Sequence, residues 1–112
     1  MAKLTEEQLV SVLKKASKAA VDAAAKTISD NPNQWYPCGF AWVRIKPARG
    51  QFVNFLKKAE VGRTDEYEGG YVIYNPSQNS TQWMDAKYDG AKAFAAVLQE
   101  HGIKARAECR MD

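Results

Sequence analysis

The chain has 112 residues, 46% of them hydrophobic and 26% charged, which fits one globular domain with its own core. Sixteen Lys and Arg against thirteen Asp and Glu give a net charge of +3, too mild an excess to mark a nucleic-acid protein by itself. No apolar run nears the ~20 residues of a membrane span, and Glu6 and Glu7 stand where a signal peptide would be apolar, so the chain reads as cytoplasmic with no membrane partner.

Thr5 followed by Gln8 has the spacing of a capping box and predicts a helix start. Leu9, Leu13, Ala16, Ala20, Ala24 and Thr27 or Ile28 then recur every three or four residues, with Lys14, Lys15, Lys18 and Asp22 off that stripe. The stripe is rich in alanine, so the helix over 1–30 can approach a flat surface closely while burying little per residue. Asp30-Asn31-Pro32-Asn33 ends it by turn chemistry.

A core over 35–112 follows within the same single domain. Cys38 to Lys46 is β-branched and aromatic, with Ala41, Val43 and Ile45 on one face and Phe40 and Trp42 on the other, and both faces of its first half are expected to be buried. Phe52, Val53, Leu56 and Ala59 form a short helical stripe whose last turn carries Lys57 and Lys58. A hairpin is predicted next, with a polar strand over Gly62 to Tyr67, a turn at Glu68-Gly69-Gly70 and a second strand over Tyr71 to Tyr74. Asn79 or Ser80 is the expected cap of a further helix with Met84, Tyr88, Ala91, Ala95 and Leu98 as its stripe. Gly102 stops it, and Ile103, Ala105, Ala107, Cys109 and Met111 alternate with charged residues as a last, half-buried strand.

The expected fold is therefore α+β: an N-terminal helix followed by a ferredoxin-like βαββαβ sandwich with a mainly antiparallel sheet. The leading helix is extra to that pattern; it either covers part of the other sheet face or mediates homo-oligomerisation.

In that arrangement the first strand begins where the third and fourth end. One end of the sheet should collect Trp35, Tyr36, Cys38, Gln78, Asn79, Trp83 and Arg110, beside a helix start with free backbone N–H groups. This is the candidate site for a protein partner or a small anionic ligand. The competing reading makes the tryptophans and Tyr36 a satellite core, and the Asn and Gln side chains partners of turn backbone.

No catalytic residue is assigned. Cys38 is the one candidate nucleophile, but His101 is expected at the far end of the last helix, where it cannot serve as its base. A zinc site would need Cys38, Cys109 and His101 plus a carboxylate, without the close cysteine pairing of such sites, and no metal or cofactor is expected. Two thiols without an export signal are expected to be reduced.

A third possibility is single-stranded nucleic acid on the sheet face. Gly70-Tyr71-Val72-Ile73-Tyr74 has the form of the second half of an RNP1 motif, with Phe40 and Trp42 on the other central strand, but its basic residue is missing.

Tyr36-Pro37-Cys38-Gly39-Phe40-Ala41-Trp42-Val43, together with Gly102-Ile103-Lys104-Ala105-Arg106-Ala107 and a closing Arg110-Met111-Asp112, resembles small uncharacterised proteins encoded by tailed bacteriophages, marine ones among them. The likeness covers about residues 34 to 112. It implies a phage accessory protein acting in the bacterial cytoplasm and carries over no activity and no catalytic residue.

Overall fold

The computed structural model describes residues 3–32 and 37–112. Seven elements follow in chain order: α1 (Glu6–Asp30), β1 (Gly39–Ile45), α2 (Gln51–Lys58), β2 (Arg63–Thr64), β3 (Tyr71–Tyr74), α3 (Met84–Glu100) and β4 (Ala105–Met111). The protein is α+β, an N-terminal helix followed by helices and a four-stranded sheet in the order β2-β3-β1-β4, every neighbouring pair antiparallel.

The capping box forms as expected: the Gln8 amide donates to the Thr5 hydroxyl and the Gln8 side chain accepts from the Thr5 amide. Down the helix Leu9, Val12, Ala16, Ala20 and Ala24 are buried. This face lies against α3, and its N-terminal part reaches α2, where the Leu4 amide donates to Gln51 Oε1. At Gly90 of α3 a Cβ would meet the Ala20 carbonyl oxygen at 3.0 Å and Ser77 Cβ at 2.8 Å, so the absence of a side chain sets how closely the two helices approach.

Ala41, Val43 and Ile45 of β1, with Tyr71 and Ile73 of β3 and Ala105 of β4, share one core with Phe52, Val53 and Leu56 of α2, with Phe94, Ala95 and Leu98 of α3, and with the α1 stripe. All three helices thus serve the same face of the sheet. The leading helix does not cover the other face. Its alanines are consumed by α3, because a narrow stripe suits a close helix crossing better than a broad, twisted sheet.

Three further expectations are corrected. Phe40 is 42% exposed and Trp42 half-buried, so the first half of β1 is buried on one face only. The polar strand is confined to Arg63–Thr64, because Asp65 turns the chain by accepting the Tyr67 and Glu68 amides on its side chain. Helix α3 starts at Met84 with Trp83 as its cap residue; Asn79 and Ser80 lie in the loop before it. At its other end the expected stop holds: Gly102 has φ +76°, and the Ile103 amide reaches the Leu98 carbonyl.

Candidate functional site

The end of the sheet where β1 begins is held by backbone. The Gly39 amide donates to the Gln82 carbonyl, the Met84 amide to the Pro37 carbonyl and the Asp112 amide to the Cys38 carbonyl, while Cys38 forms an isolated bridge with Trp83. Cys38, Trp83 and Arg110 therefore converge, as the topology predicted. Trp35 and Tyr36 lie outside the described residues.

The chemistry at that end is less inviting than the list of residues suggested. Trp83 is 9% exposed and acts as core. Asn79 accepts the Thr81 amide on its side chain, its own amide donates to Ser77 Oγ, and Asn75 Nδ2 donates to its carbonyl. Thr81 Oγ1 takes the Trp83 amide in turn, so these polar side chains serve their own loop. The first amide of α3 is already bound to Pro37. Cys38, Gln78 and Arg110 remain exposed, as does Cys109, which pairs with Ala41 further along β1. His101 ends α3, a helix rising ~25 Å from Met84, and so stands far from Cys38.

The sheet face turned away from the helices is more informative. Alternation along the strands places Phe40, Trp42 and Arg44 of β1 there, beside Val72 and Tyr74 of β3 and Arg106, Glu108 and Arg110 of β4. No described helix covers it. The register sets Trp42 directly between Tyr74 and Glu108, and Phe40 beside Arg110. The Trp42 and Tyr74 ring centroids are 5.7 Å apart at a tilt of 45°. Tyr74 is 50% exposed. The Arg63 guanidinium stands 5.0 Å over the Tyr74 ring, and Arg110 and Lys87 approach the Phe40 ring at 5.9 and 5.6 Å.

Beneath one side of this platform lies Arg44, with its side chain only 3% exposed. It donates to Asp65 at 2.8 Å, Glu68 at 3.0 Å, Glu108 at 2.9 Å and the Gly69 carbonyl. Glu108 also accepts from Trp42 Nε1 at 2.7 Å and Arg106 at 2.8 Å, which fixes the indole plane. Arg44, with help from the Glu68 and Tyr67 amides, holds the Asp65 carboxyl down to about 2. Burial alone would raise Glu108, but donation from Arg44, Trp42 and Arg106 outweighs it and lowers that group as well. Asp65 and Glu108 are thereby held as partners of Arg44; Arg63 and Arg110 face outward, as do Glu68, Glu60 and Glu66 along the turn side of the same cleft.

An open cleft of about 1280 Å³ is lined by this face, by residues 60–68 and by Leu13 and Phe94. Among the described residues no three His, Cys, Asp or Glu side chains gather as a metal site, and no helix is long and apolar enough to cross a membrane. Sequence alone singled out Phe40, Trp42 and the strand ending at Tyr74 but missed Arg63; Lys87, buried on α3, donates to the Gly39 carbonyl at 2.9 Å. The signal for Arg63 was strand register, which sets it beside Val72 and one row from Tyr74. Comparison with protein-family models, with curated proteins and with solved structures finds no match to this chain.

Proposed function

We propose that this chain is a non-enzymatic binding module with a ferredoxin-like βαββαβ core behind its leading helix, and that its open sheet face takes single-stranded nucleic acid. Bases stack on Phe40, Trp42 and Tyr74, and phosphates meet Arg63 and Arg110. The observation that carries this reading is the Trp42 and Tyr74 pair on adjacent central strands, on a face that no described helix covers. Every base has a π-face, so such a platform tolerates sequence, and the flanking arginines supply the electrostatic part that the incomplete RNP1-like stretch lacked.

The sheet end around Cys38, Gln78 and Arg110 is the alternative surface, for a protein partner or a small anionic ligand, and a phage accessory protein of the bacterial cytoplasm accords with either. Exposed Cys38 and Gln78 favour it; the committed side chains of Trp83 and Asn79 weigh against it.

Fluorescence anisotropy with mixed-sequence single-stranded oligonucleotides at low salt separates the two. Binding should weaken as salt rises. Tyr74→Ala or Phe40→Ala should each reduce affinity roughly 5- to 150-fold, corresponding to about 1–3 kcal/mol per stacked base. Gln78→Ala should leave it unchanged. Absence of a salt-sensitive signal, or loss of binding only in Cys38 and Gln78 variants, removes the sheet-face reading.

A further inference from the structure

The two edges of the sheet are treated differently. On one side β2 is two residues long and gives way to the Asp65 turn, a short and irregular edge. On the other side β4 runs seven residues without proline and in unbroken register with β1 from Ala105 to Met111. Natural sheets blunt such an edge with proline, a bulge, a cover or repelling charges; here only charges are present, and they alternate in sign.

The ladder states which backbone groups point outward. The Asn75 amide donates to the Ala41 carbonyl, so Ala41, Val43 and Ile45 bond toward β3 while Phe40, Trp42 and Arg44 bond toward β4. Their β4 partners Arg110, Glu108 and Arg106 therefore turn their backbone groups inward, which leaves those of Ala105, Ala107, Cys109 and Met111 facing out. Gln99 Nε2 donates to the Ala105 carbonyl at 2.7 Å and closes the edge there. The open length is Ala107 to Met111.

We infer that this edge pairs antiparallel with β4 of a second copy of the chain, about a two-fold axis at Cys109. The side chains select that register. Arg106, Glu108, Arg110 and Asp112 alternate in sign along one face. Centred on Cys109, the pairing sets Glu108 opposite Arg110 of the other copy and Arg106 opposite its Asp112, with Ala107 opposite Met111. Centred on residue 108 it opposes Glu108 to itself and Arg106 to Arg110; centred on 110 it opposes Arg110 to itself. Centred on 107 it needs the Ala105 carbonyl that Gln99 already occupies and sets Lys104 against Arg110. Centred on 111 it pairs only the last residues of β4 and leaves Ala107 and Cys109 without partners. Like charges directly opposite are destabilising and unlike charges stabilising, so the register centred on Cys109 is the one that pairs the whole open length without a clash. The result is a continuous eight-stranded sheet whose two aromatic platforms lie on the same face, their β1 strands three spacings or ~14 Å apart. The dimer stands whether or not that face takes nucleic acid.

The two Cys109 Cα atoms would lie ~5.5 Å apart as a hydrogen-bonded pair, within disulfide reach, and that gives a direct readout. With Cys38→Ser, copper-phenanthroline oxidation should give a covalent dimer through Cys109; with Cys109→Ser, Cys38, which is also exposed, should not cross-link. Native mass spectrometry should give twice the 12.5 kDa chain mass. Ala107→Pro removes an outward amide without touching the β1 ladder and should give a folded monomer by circular dichroism; Met111→Pro repeats the test at the other end. Arg110→Glu should weaken the dimer at least tenfold. A 12.5 kDa species at submillimolar concentration with Cys109 no more reactive than Cys38 overturns the inference, as does a dimer that survives both proline substitutions in folded protein.

Discussion

Arg44 is a buried cation that three carboxylates and a carbonyl satisfy, and its environment makes stability depend on pH at the acid end. Asp65 titrates at about 2 when folded against an ordinary value near 3.8. A carboxyl whose folded value is depressed contributes stability above its unfolded value and loses it as pH falls through the folded one. The loss should therefore fall between about pH 4 and pH 2, and Glu108, shifted in the same direction, adds to it. Denaturant unfolding across that range should show wild-type stability dropping, and Asp65→Asn, already less stable at neutral pH, dropping less. In the sequence Arg44 is only a charged residue inside an apolar strand. Its partners at 65, 68 and 108 come from two other segments, and nothing local announces them.

Elements were legible where local chemistry decides them. The α1 start, the Gly102 stop and the alternation of β1 and β4 follow from spacing that the chain carries in itself. The start of α3 was not legible: Asn75, Ser77, Asn79 and Thr81 all have cap chemistry, and they spend it on one another while Trp83 opens the helix. The role of α1 was also hidden, because an alanine stripe does not say which surface it meets. Gly90 decides that question in the structure and is testable. Alanine in a helix interior normally gains about 1 kcal/mol over glycine. Here Gly90→Ala should instead destabilise by about 1–3 kcal/mol, since the new methyl meets the Ala20 carbonyl and Ser77. Thermal or denaturant unfolding reads the sign directly; a stabilised variant would mean the helices separate at little cost.

At the scale of the molecule, the order of elements could be read from residues, and the convergence of Cys38, Trp83 and Arg110 followed from the strand order of the sandwich to which that element order was matched. The open face could not, since it depends on where α1 docks. Nor could its charge balance, which depends on register across three strands. That balance also bears on the time course of folding. The bonds of Arg44 span 21, 24 and 64 residues of chain, so they close only after β1, the hairpin turn and β4 have met. Contacts that close after the transition state act on the unfolding step alone, and that is the expectation for these. In stopped-flow experiments Arg44→Met should accelerate unfolding by at least about tenfold and leave the refolding arm nearly unchanged. Arg44 thus acts as a latch: the sheet assembles without it and, once it has closed, comes apart slowly.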